Sequence, residues 1–193
     1  MTWYVIDGMD GSGKSTAGSM VKGMLESRGR RVLDITHPTE HRLAGRISDR
    51  FLHMDQGKFW EMLAAVFYIL DVVMSLFYVR RYGKAYDDVI FIRYSMAVAY
   101  VPTRLVPLTY RIIESVLPIP DVKILIDIDP GTASSRIDSR GESRELFETP
   151  QRLMKTRNKI MMIADSWHIV ENTGSMEDLE CQLSDILDKG MVV

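Results

Sequence analysis

One octapeptide constrains this chain more than any other feature. Gly8-Met9-Asp10-Gly11-Ser12-Gly13-Lys14-Ser15 fits the pattern Gly, four residues, Gly-Lys-Ser. A short apolar run, Trp3-Tyr4-Val5-Ile6, leads into it, and Ala17, Met20, Val21, Met24 and Leu25 follow at helical spacing. Strand, glycine-rich turn and helix in that order are the context in which such a loop cradles phosphate. Glycines let the backbone turn its N–H groups inward around phosphate oxygens, and the helix adds its positive end. Lys14 is then placed to reach the β- and γ-phosphates, and the Ser15 hydroxyl to hold the Mg²⁺ that bridges them. The triphosphate-site candidates are Gly8, Asp10, Gly11, Ser12, Gly13, Lys14, Ser15 and Thr16, with Ser15 as the metal-side residue.

The rest of the chain supplies a sheet around this loop. Residues 31–36, 88–92, 122–128 and 167–170 read as further strands, the last but one being the clearest. Helical patterns fall between them: up to Gly29, over 43–54, through the apolar stretch 59–79, and over 94–117 with interruptions at Pro102 and Pro107. Thr149 before Pro150 starts another helix, running to about 164, and Ser175 with Asp178 resembles a capping box for the last one. Strands alternating with helices imply right-handed crossovers and a parallel sheet covered on both faces. The expected fold is α/β: a three-layer P-loop NTPase fold with a five-stranded parallel sheet flanked by helices. Residues 1–193 form a single domain, with no repeat or linker, and the polar segment 130–148 is expected to be mobile.

Composition removes several function classes. With 24 Lys+Arg against 26 Asp+Glu, the net charge of −2 lacks the basic surplus that nucleic acid or an anionic membrane surface would need. One cysteine, Cys181, can form no internal disulfide, and the histidines at 37, 41, 53 and 168 lack metal-ligand spacing. Apolar residues concentrate in 59–79, FWEMLAAVFYILDVVMSLFYV, long enough to span a bilayer. Glu61 and a nearly central Asp71 argue against that, so a helix buried on most sides of a core is expected. The amino terminus runs straight into a strand and shows no signal peptide, which points to the cytoplasm.

Arg136, Arg140 and Arg144 recur every four residues in 130–148. They suit either a clamp on transferring phosphates or a solvated face paired with Asp138, Glu142 and Glu145. Taken together, the start Ile6-Asp7-Gly8, the loop with Thr16, the run Thr36-His37-Pro38-Thr39-Glu40, and 120–148 (PDVKILIDIDPGTASSRIDSRGESRELFE, from Pro120) resemble thymidylate kinase. That family belongs to the nucleoside monophosphate kinases of the phosphate-loop class, and the resemblance covers essentially the whole chain in order. It implies ATP and Mg²⁺ as cofactors, Arg136 at the ATP site, and Arg140 and Arg144 as catalytic arginines closing from a lid at 130–148. Lys14 and Arg93 complete the catalytic set. It also implies that Asp10 meets the acceptor's sugar hydroxyl, that Phe67 stacks on its base, and that Tyr94 and Tyr100 line its pocket. A homodimer packed through long helices follows from the same resemblance, as does a role in nucleotide biosynthesis.

The acceptor side departs from the family pattern. Ile92-Arg93-Tyr94 stands where the family has an aspartate before the arginine, and Asp71 stands where it has an arginine for the monophosphate. Ala97, Val98 and Val101 replace residues that address thymine. Asp71 suits a hydroxyl acceptor as its base, or an ion pair with Arg93. Without the aspartate, Mg²⁺ is left to water, Asp127 or Asp129. The leading expectation is transfer of the ATP γ-phosphoryl group to a (deoxy)nucleoside monophosphate such as dTMP. Alternatives are a kinase of a hydroxyl-bearing small molecule or nucleoside, and a non-catalytic nucleotide-binding switch.

Overall fold

Five strands form one parallel sheet in the order β2-β3-β1-β4-β5. They are β1 (Thr2–Asp7), β2 (Val32–Thr36), β3 (Asp88–Ile92), β4 (Val122–Asp127) and β5 (His168–Glu171). The structure is a computed structural model that describes residues 1–39, 43, 45–47, 57–94, 98, 101–139 and 149–190, with side chains outside 57–65 and 190. The helices are α1 (Lys14–Ser27), α2 (Gly57–Tyr82), α3 (Val106–Val116), α4 (Pro130–Asp138), α5 (Pro150–Met161) and α6 (Met176–Gly190). The three-layer α/β fold is therefore present, with the strands at the expected places. The helix expected over 43–54 lies mostly outside the described residues.

Alternation along the strands decides which layer each helix occupies. Tyr4 and Ile6 of β1, Ile90 and Ile92 of β3, and Ile124 and Ile126 of β4 point to one face. There they meet Ala17, Val21 and Leu25 of α1, and Leu179, Leu183 and Leu187 of α6. Val5, Val89, Phe91 and Leu125 point the other way, against Tyr68, Val72 and Val79 of α2 and Ile160 of α5. Because β1 sends its helix to one face while its neighbour β3 connects across the other, the loop after β1 opens at the switch point of the sheet.

Helix α2 corrects one expectation. Among its described side chains, 66–82, it is buried along a single stripe, Tyr68, Asp71, Val72, Ser75 and Val79, rather than on most sides. Val66, Ile69, Leu70, Met74 and Phe77 are exposed, Phe77 by 68%. A helix lying on one face of a sheet has only one side to bury, so the excess apolar residues stay outside. No described helix is long and apolar enough to cross a membrane. The segment 130–148 also begins in regular structure: Asp129 caps α4 by accepting from the Thr132 N–H at 3.0 Å, and Ala133 and Ile137 pack on Leu153 of α5.

Candidate active site

The loop after β1 is seated by close backbone packing. Gly11 has φ +77, and a Cβ there would lie 2.6 Å from the Ala133 carbonyl of α4. Only glycine meets both conditions. Met9 plugs the loop into the small core of Ile128, Ala133, Ile137 and Leu153. Ser15 and Thr16 are exposed in the first turn of α1, where unpaired N–H groups and the helix dipole favour an anion.

Asp10 and Lys14 are both almost fully buried. The Lys14 ammonium donates to the Met9 carbonyl at 2.6 Å and to Asp10 Oδ1 at 3.2 Å. Arg93 Nη2 donates to the same carboxylate oxygen at 2.8 Å, across 83 residues of sequence. Burial alone would raise the Asp10 carboxyl, but Lys14 and Arg93 outweigh it and hold it well below the usual carboxylate range. Burial lowers the Lys14 ammonium, Asp10 opposes that shift, and Arg93 adds to it. Two cations thus converge on one loop carboxylate.

Arg93 is the first residue past β3 and the only described non-glycine residue with positive φ, at 63°. Its N–H donates to the Ile6 carbonyl at 3.1 Å, and its carbonyl accepts from the Tyr68 hydroxyl. Those bonds hold a left-handed turn that ordinarily costs about 1–2 kcal/mol. From this turn the guanidinium reaches Asp10 of the loop.

Asp71 is fully buried, and its Oδ2 accepts from the Thr39 N–H and the Thr39 hydroxyl, each at 2.7 Å. Arg93 is thus paired with Asp10, and Asp71 holds Thr39. One turn further along α2, Ser75 Oγ and His37 Nε2 are hydrogen-bonded at 2.8 Å, with the imidazole stacked on Phe91 at 5.9 Å. Phe67 is half-buried one turn before Asp71. Tyr94 is buried, its hydroxyl donates to the Pro118 carbonyl at 3.2 Å, and burial pushes its phenol well above the ordinary range.

Of the carboxylates left for Mg²⁺, Asp127 takes both its oxygens to Arg157, at 2.7 Å each, and Asp129 is the α4 cap. Arg136 is half-buried on α4 and donates to the Asn172 carbonyl at 3.3 Å. Tyr100, Arg140 and Arg144 lie outside the described residues. Three contributors were not singled out from the sequence: Thr39, Tyr68 and Asn172. Nothing local in the sequence around Asn172 marks it as a site residue.

A phosphate loop at the switch point of a 2-3-1-4-5 parallel sheet, with an arginine from the next strand turned onto its carboxylate, is the site of a phosphate-loop phosphotransferase, in the nucleoside monophosphate kinase class. A family model described as thymidylate kinase matches residues 6–183, and the chain belongs to that family. A probable thymidylate kinase of Pyrococcus horikoshii is 28% identical, over 94% of this chain and 93% of its own length. A thymidylate kinase of Xanthomonas oryzae pv. oryzae is also 28% identical, over 79% of this chain and 67% of its own. The solved structure of thymidylate kinase from Candida albicans shares the fold, with a TM-score of 0.77 over 98% of this chain and 92% of its own, at 18% identity.

Proposed function

We propose that this enzyme moves the γ-phosphoryl group of ATP to a (deoxy)nucleoside monophosphate, with dTMP the first acceptor to test. The observation that carries the proposal is the Asp10 carboxylate shared by Lys14 and Arg93. Lys14 belongs to the donor loop, whereas Arg93 comes from the end of β3. A single anion therefore holds a donor-side and an acceptor-side cation together before any phosphate arrives. Incoming phosphates offer both cations a stronger anionic partner, and the pair then bridges the two substrates.

Mg²⁺ fits the exposed Ser15 hydroxyl in the first turn of α1, and when bound it neutralises charge on the phosphates. Arg136 serves the ATP side, and Arg140 and Arg144 close the site as lid cations that exclude water. The relatives' names support dTMP as acceptor. The buried, Thr39-bound state of Asp71 favours the monophosphate over a hydroxyl acceptor, because a base must reach the proton it takes. A coupled ADP-release assay over nucleosides, monophosphates and simple alcohols tests the proposal. Turnover should rise with dTMP or a related monophosphate. Asp71→Asn, which can still accept from Thr39, should retain turnover within about threefold, the loss of one charge-assisted bond being modest. No monophosphate above the ATP-only rate, or abolition by Asp71→Asn with an alcohol as the one good acceptor, would overturn it.

The homodimer belongs on the outward face of α2, in a protein working in the cytoplasm. Val66, Leu70, Met74 and Phe77 repeat at helical spacing there, and each is about half exposed or more. An apolar stripe of this size is a contact surface. Phe77→Glu should convert a dimer at micromolar concentration to monomer in sedimentation equilibrium; a parent already monomeric would remove the dimer.

A further inference from the structure

Asn172, the residue after β5, is not among the groups that touch phosphate in the mechanism above, yet it is tied to the loop, to the end of β4 and to Arg136 of α4. It is 7% exposed. Its side-chain Nδ2 donates to the Ser12 carbonyl at 2.8 Å, its own N–H donates to the Asp127 carbonyl at 2.9 Å, and its carbonyl accepts from Arg136. Asp127 in turn is fixed by the bidentate pair with Arg157. The amide orientation follows from this network, since the opposite flip would set its oxygen against the Ser12 carbonyl.

We infer that Asn172 is a positioning residue for the donor phosphates, acting through the Ser12–Gly13 peptide. In a trans peptide the carbonyl and the next N–H point in opposite directions. Holding the Ser12 carbonyl outward therefore turns the Gly13 N–H toward the hollow of the loop, where phosphate oxygens are received. The same contact explains Gly13 itself. Its φ is +96, and a Cβ there would lie 2.5 Å from Asn172 Nδ2. Glycine at 13 and asparagine at 172 are thus matched, one giving the room that the other fills. Because Arg136 is held by the Asn172 carbonyl, the same residue also sets the α4 arginine relative to the loop.

This inference rests on the loop being the ATP site and is independent of the acceptor. The test is equilibrium binding of ATP, tripolyphosphate and adenosine to the parent, Asn172→Ala and Asn172→Asp. Losing one buried hydrogen bond to the loop should weaken ATP and tripolyphosphate by about tenfold in Asn172→Ala. Asn172→Asp keeps the shape but sets a carboxylate against the Ser12 carbonyl and near the phosphates, so its loss should be at least as large. Adenosine, which carries no phosphate, should bind the parent and both variants alike, a result that general loosening of the fold would not produce. Should Asn172→Ala fail to fold, the isosteric aspartate carries the test. Unchanged ATP affinity in a folded variant, or an equal loss for adenosine, would overturn the inference. A parent that binds neither ATP nor tripolyphosphate overturns the donor site with it. A parent that binds ATP but phosphorylates no monophosphate overturns only the acceptor proposal.

Discussion

Lys14→Ala is expected to lower kcat/KM by about three orders of magnitude while the chain stays folded, because the proposed role of the lysine is to act on charge developing at the transferring phosphoryl group. The ammonium is buried between the Met9 carbonyl and Asp10, so its removal empties a polar site. Asp10 is not stranded by the change, since Arg93 remains 2.8 Å away. The stability cost should accordingly stay near 1–3 kcal/mol, roughly that of losing partners from a buried group that keeps another. Arginine should not substitute, because its planar fork cannot occupy the point position of an ammonium. Steady-state kinetics with a thermal melt checks both halves. Transfer within tenfold of the parent would sink the assignment of Lys14. Asp10 is held ionised far below neutrality, so its contribution to stability is in place above the ordinary carboxylate range and is lost only in strong acid. The acid limb of the activity profile between pH 5 and 7 should therefore be the same in Asp10→Asn as in the parent, whatever the change in rate.

Arg93 offers a second large effect with a built-in control. Arg93→Ala and Arg93→Gly both remove the guanidinium and should both lower kcat by about a hundredfold or more, as losing a cation at a phosphoryl-transfer site does. Their stabilities should differ. With φ at 63°, alanine keeps the left-handed strain that glycine relieves, so the glycine variant should melt higher by about 1 kcal/mol of stability. The Ile6 and Tyr68 bonds to the Arg93 backbone are available to both variants. Equal activity in the two, with unequal melting, would separate chemistry from strain. A variant retaining parental kcat would remove Arg93 from the mechanism.

The loop and the strands were legible because their signals are local. Glycine spacing, Lys14-Ser15 and the apolar runs each report on a few neighbouring residues, and periodicity alone assigned the helices that pack on Ile6 and on Val5 to a layered fold. Partners far apart in sequence were not legible in the same way. Asp10 with Arg93, Asp127 with Arg157, and Asn172 with Ser12 are separated by 83, 30 and 160 residues. No period links such pairs, and only the order of strands in the sheet brings them together. Asp71 shows the same limit. Its position on α2 could be read from register, but not that its carboxylate would hold Thr39. The outward apolar stripe of α2 was seen as a concentration of residues, and its direction needed the sheet to be placed.

Asp71 and Ser75, one turn apart on α2, hold Thr39 and His37 by side-chain bonds that need no ligand. Residues 37–39 therefore lose their conformational freedom when the protein folds, not when a substrate arrives. The contour of this segment is thus set in advance of any ligand. Under the proposed placing of Asp71 on the acceptor side, the segment would select by collision with a fixed surface, turning away an ill-shaped acceptor instead of moulding to it. Selectivity of that kind would be a property of the empty enzyme.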